Sequence, residues 1–211
     1  MVSAESDSRR GGTIWMLNLD KPARFIPTFV PAVFGRVEPQ SATELAEAMG
    51  GQVLAEVLNR FRSGRRCYVA RVDDRLAAYG WVSFDDELIG ELHLRLKLLP
   101  GEAYIWDCAT IPALRRNHLY SALLVYILGE LRTEGFSRAW IGSDLDNMPS
   151  QQGIARAGFH HVADLVVARV LAMRQIWVQG LPDIPDHLVA EARRAFLNDR
   201  DKVWLNVSTS T

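Results

Sequence analysis

The residues that most restrict how this chain can fold run from Asp107 to Leu124. There an apolar strand passes through a short basic turn, with Pro112, Arg115 and Arg116, into a helix. The start of a helix exposes backbone N–H groups that have no intrahelical acceptor, together with the positive end of the helix dipole, so that geometry cradles phosphate. The two arginines add fixed positive charge at the turn.

The elements that follow arrive in a recognisable order. An amphipathic helix is expected over about Leu114 to Glu134, capped by Gly135, then a strand at Arg138 to Ser143. A second block, Asn147 to Phe159, reads as a helix closed by Gly158-Phe159. The turn resembles the pyrophosphate loop of the GNAT superfamily of acyl-CoA-dependent N-acyltransferases, Arg/Gln-x-x-Gly-x-Gly/Ala, with Arg115 at the first position. The second block is similar to that family's later helix, with the family's spacing from Asn147 to Gly158. His118 and Tyr120 stand where the loop has its glycines. Glycine takes positive φ without penalty, so these replacements imply a shifted or weakened loop.

The resemblance implies an α/β fold with a mixed, mainly antiparallel central sheet and helices on both faces. It places a splay in the middle of the sheet, here between Ala103–Thr110 and Arg138–Ser143, with acyl-CoA lying in it. The residues it assigns to the cofactor are Cys108, Thr110, Arg115, Arg116, Asn117, His118, Leu119, Tyr120, Ser121, Asn147 and Ser150. Amine acylation also needs a base and an acid for the departing thiolate. Asp107, acidic within an apolar strand, is the candidate base, and burial raises a carboxylate's pKa. The alternative for Asp107 is a carboxylate tied to backbone N–H groups or an arginine. Glu91 and His93 are reserve candidates. Many relatives carry an acid tyrosine seven residues after the Asn147 equivalent, but here that residue is Ile154. Tyr120, in the first turn of the helix, is the substitute candidate, with plain packing against the sheet as its alternative.

Composition narrows the rest. The chain has 211 residues, 48% of them hydrophobic, enough for a core. Residues 1–12 are expected as a disordered tail, 13–180 as the acyltransferase domain and 181–211 as a helical extension packed on it. A net charge of −1 argues against nucleic acid as a partner. No apolar run reaches the about 20 residues needed to span a bilayer, and no signal peptide is seen, so a cytoplasmic protein is expected. Cys67 and Cys108 read as free thiols, and the five histidines show no zinc-type spacing, so no metal is expected. Arg60, Arg62, Arg65 and Arg66 read as a solvated basic stretch, and Trp106 as a core residue on the strand face opposite Asp107.

Locally, Ser41 to Glu44 is a capping-box pattern, Asp73-Asp74 joins two strands, Glu91 to Leu98 alternates like a half-exposed strand, and His187 to Asn198 reads as a terminal helix. The expected function is acetyl transfer from acetyl-CoA, or another acyl-CoA, to a small-molecule primary amine within a ternary complex. The alternative is a silent module that binds acyl-CoA or a protein partner. Transfer of a longer acyl group is a third reading, and pairing of the late strands leaves a homodimer open.

Overall fold

The structure, a computed structural model, describes residues 10–22, 24–89, 94–170 and 173–197. Ten strands and five helices are described: β1 (Arg10–Asn18), β2 (Val33–Val37), α1 (Ala42–Ala48), α2 (Leu54–Arg62), β3 (Arg66–Val72), β4 (Arg75–Ser83), β5 (Glu87–Ile89), β6 (Leu94–Leu96), β7 (Glu102–Thr110), α3 (Leu119–Thr133), β8 (Arg138–Asp144), α4 (Met148–Arg156), β9 (His160–Val170), β10 (Met173–Gly180) and α5 (Asp186–Phe196). Eight strands form one sheet in the order β10-β9-β1-β8-β7-β4-β3-β2. Its pairings are antiparallel except β7 with β8, the two strands joined by the α3 crossover. This is the expected mixed, mainly antiparallel α/β sheet.

Alternation along each strand sends side chains to two helical layers. Ala103, Ile105, Ala139 and Ile141 face α3, whose Leu123, Leu124, Ile127, Leu128 and Leu131 form a fully buried stripe. A side chain of that size contributes about 1.5–3 kcal/mol when buried. Tyr104 and Trp140 face the other way and pack on Phe196 of α5. The same face carries α1 and α2, packed on Cys67, Val69, Tyr79 and Trp81. Helices therefore cover both faces. Among the described residues no helix is long and apolar enough to cross a membrane.

Several ends obey local rules. Gly135 takes φ +87°, Phe136 N–H bonds the Leu131 carbonyl and Gly135 N–H the Arg132 carbonyl, the Schellman closure expected of α3. Asp73 and Asp74 both take positive φ, as a two-residue hairpin turn requires. Other ends differ from expectation. The strand β1 starts at Arg10, inside the segment expected as a tail. Helix α3 starts at Leu119 rather than Leu114, because residues 112–114 form a 3-10 turn and Arg116 and His118 adopt left-handed backbone that interrupts the helix. The Ser41 side chain caps nothing, and Glu44, the other half of the expected box, pairs bidentately with Arg71 at 2.5 and 2.7 Å instead. Of Glu91 to Leu98, only Leu94–Leu96 is a described strand; it pairs with β5 in a separate two-stranded sheet, and Glu91 and His93 lie outside the described residues.

The C-terminal helix is fastened at the base of β7. Glu102, only 4% exposed, accepts from Arg194 at 2.6 and 2.9 Å and from Arg138 at 3.2 Å, while Glu191 receives both arginines at 3.0 Å. Glu102→Ala leaves two partly buried guanidinium groups with Glu191 as their one carboxylate partner among the described residues and is expected to lower stability by about 2 kcal/mol. In a thermal melt this appears as a fall in Tm of about 4–8 °C.

Candidate functional site

The parallel pairing of β7 with β8 ends at Ile105 and Ile141, although both strands continue. Beyond that point the two strands part. On the other side of β7 the register against β4 shifts between Tyr79–Ala109 and Trp81–Trp106, so Gly80 alone faces Asp107 and Cys108. The extra residue is a bulge, and Asp107 sits in it with φ +43°. A Cβ on Gly80 would stand 2.8 Å from the Cys108 sulfur, so the bulge packs where β4 has no side chain.

Two cavities open at the splay, of about 740 Å³ and about 540 Å³. Cys108, Tyr120, Asn147 and Ser150 border both, and therefore mark their junction. The larger groove is walled by the turn and the start of α3 on one side and by α4 on the other. Of the residues assigned to the cofactor, Thr110, Arg115, Arg116, His118, Leu119 and Ser121 border it in addition to the four at the junction. Asn117 does not; its amide nitrogen bonds the Leu114 and Arg115 carbonyls and ties the turn together. Arg156, at the last turn of α4, adds a third arginine that sequence reasoning passed over. Among the described residues, none of Arg115, Arg116 and Arg156 has a carboxylate partner, and no acidic residue borders the groove. Together with the free N–H groups at the start of α3, this is an anion-binding surface.

The altered glycine positions have definite outcomes. His118 keeps the left-handed backbone that glycine would take, at φ +58°, which costs about 1–2 kcal/mol in a residue with a side chain. Tyr120 lies within the first turn of α3 and lays its ring against Gly153, where a Cβ would come within 2.5 Å. The Tyr120 hydroxyl reaches Ser150 Oγ at 3.3 Å, and burial pushes its pKa well above the usual tyrosine value. Asn147 caps α4 by accepting from Ser150 N–H, and Ile154 is fully buried in the core. The Cys108 thiol also has its pKa pushed up by burial.

The smaller cavity corrects the reading of Asp107 and Trp106. The bulge breaks the alternation, so both border this cavity. Asp107 is not buried: its side chain is 32% exposed and pairs with Arg60 Nη1 at 2.5 Å. The Arg60 guanidinium also lies over the Trp106 ring at 4.6 Å. Trp106 Nε1 donates to Ser83 Oγ at 2.8 Å, Ser83 donates to Glu87, and Arg65 clasps Glu87 bidentately at 2.6 and 2.8 Å. The basic stretch read as solvated is thereby split: Arg60 and Arg65 build this wall. Nothing in the sequence marked their partners, which lie 47 and 22 residues away. His160 and His161 take no part; His161 bonds Asp164 and stacks on Trp15.

Burial pushes the Glu87 pKa up, but hydrogen bonds from Arg65 and Ser83 and the arginine's charge outweigh it and hold the carboxyl below its ordinary 4.5. A folded value below the unfolded one contributes stability that is present above about pH 4.5 and lost as pH falls through the depressed value. Glu87→Gln is therefore expected to be less stable than the parent in urea at about pH 7, with the difference narrowing towards about pH 3. An unchanged difference across that range excludes the coupling.

A family model described as the Acetyltransferase (GNAT) family matches residues 37–159. No curated protein matches the chain. Among solved structures, a GCN5-related N-acetyltransferase from Sphaerobacter thermophilus superposes with a TM-score of 0.57 at 15% identity, covering 82% of this chain and 53% of that one. A GNAT-family acetyltransferase from Colwellia psychrerythraea gives 0.56 at 12% identity, covering 82% and 56%. At these identities the likeness is one of fold. The chain spans 53–64% of the length of the first solved structures it matches. With the family match over more than half the chain, and the splayed sheet and turn built from the same residues, the chain belongs to the GNAT acetyltransferase family.

Proposed function

We propose that the protein is an N-acyltransferase that moves an acetyl group from acetyl-CoA to a small-molecule primary amine while both are bound. The observation that carries this is the meeting of two cavities at Tyr120, Ser150, Asn147 and Cys108, one of them lined by three arginines that have no carboxylate partner among the described residues. The arginine-lined groove suits the phosphates of the donor, with Arg115 and the amides at the start of α3 nearest the turn. The smaller cavity suits the amine. At the junction the amine nitrogen attacks the thioester carbon, the C–S bond breaks and the nitrogen loses a proton. Asp107, on the amine side, receives that proton directly or through water. Tyr120, kept protonated by burial, gives its hydroxyl proton to the leaving thiolate, with Ser150 holding the hydroxyl. Juxtaposing the two reactants supplies most of the acceleration.

A second reading, a module that binds acyl-CoA without turnover, is favoured by the Arg60–Asp107 pair and by Ile154. Calorimetric titration with acetyl-CoA and with free CoA separates these readings when followed by an amine screen. Micromolar binding, about −8 kcal/mol, is expected. Arg115→Ala is expected to weaken it by about 1–3 kcal/mol. Binding without turnover on any amine selects the silent module, and no binding to either ligand rejects both.

For the acid, Tyr120→Phe is expected to lower kcat about a hundredfold while leaving CoA affinity unchanged. An unaltered kcat removes Tyr120 from the mechanism.

A further inference from the structure

The left-handed backbone at His118 costs more than it would at glycine, so contacts from outside the turn that favour it stabilise the turn. The chain before β2 makes the contacts. Phe29 N–H bonds the Asn117 carbonyl at 3.2 Å, and the Phe29 ring lies against the His118 imidazole with centroids 4.3 Å apart. Phe29 is 68% exposed, so the contact with His118 leaves much of its ring in solvent.

The segment bearing it is stiff. Pro27 and Pro31 bracket it, fixing their own φ and restricting Ile26 and Val30 before them. Thr28 Oγ1 donates to the Val30 carbonyl at 2.7 Å, and Val30 and Ala32 pack on the α3 core. Residues 27–32 thus form a strap anchored in the core, with Phe29 aimed at the turn.

We infer that Phe29 is a positioning residue for the cofactor turn. Through one backbone bond at Asn117 and one ring contact at His118 it holds the turn with His118 in left-handed backbone, and so sets the N–H groups of α3 towards the groove. The functional consequence rests on the reading of the groove as the acyl-CoA site; the conformational claim does not.

Two measurements on the full-length protein test it. The first needs no ligand and follows hydrogen exchange at the Ala122 amide, which bonds the His118 carbonyl at 3.0 Å. Phe29→Ala removes the ring contact and keeps the backbone bond; it is expected to speed that exchange about tenfold, the upper size of an aromatic ring contact, while exchange in the sheet stays unchanged. In a His118→Gly background the same change is expected to have less than about a threefold effect, since glycine needs no brace. The second measurement titrates acetyl-CoA: Phe29→Ala is expected to raise its Kd, and its KM in any amine assay, about tenfold without lowering kcat, and His118→Gly is expected to restore both.

Unchanged Ala122 exchange in Phe29→Ala overturns the inference. So does an effect that persists undiminished beside His118→Gly, because Phe29 then acts by some route other than His118. If the parent protein binds no acetyl-CoA, the reading of the groove fails, and the exchange measurement still decides the strap.

Discussion

The architecture turns on the place where β7 stops pairing with β8. Up to Ile105 and Ile141 the strands share a parallel ladder; one step later β7 takes an extra residue opposite Gly80 and the ladder is lost. Both events follow from sheet geometry. A bulge bends and twists its strand, and a bent strand cannot stay in register with a straight neighbour. The bulge fits because Gly80 leaves room for the Cys108 sulfur. The groove, the smaller cavity and the junction between them all open from that departure, and the α3 crossover delivers a helix start to its rim.

Much of this was legible because it is local. Gly135 closing α3, Asp73-Asp74 turning the hairpin, and the basic turn entering a helix each follow from rules that act within a few residues. The family's motif order then placed ten of the eleven residues assigned to the cofactor on the groove wall, the exception being Asn117. What was not legible is non-local or depends on a broken periodicity. Strict alternation put Trp106 and Asp107 on opposite faces, and a single inserted residue brought them to one cavity. Arg60 and Arg65 looked like ordinary solvated charge because their partners are distant in sequence. Glu44 looked like a capping residue, but it pairs bidentately with Arg71 instead.

The replaced glycines show how a family scaffold absorbs change. At the first site His118 takes left-handed backbone despite its side chain, and at the second the Tyr120 ring packs where Gly153 on the facing helix has no side chain. In the second case a phenol comes to the junction from α3, while Ile154 on α4 turns into the core. On the proposed reading, the acid that relatives carry on the later helix is supplied here from α3.

The protonated thiol of Cys108 has a kinetic consequence. A thioester is open to attack by a thiolate, and a cysteine at the meeting point of the two cavities would otherwise be placed to take the acyl group onto itself. Desolvation, with the Asp107 carboxylate beside it, raises the thiol's pKa and so disfavours the nucleophilic form. On the proposed reading of the groove, an acyl group brought to the junction meets a thiol rather than a thiolate, which favours its passage straight to an acceptor already in position.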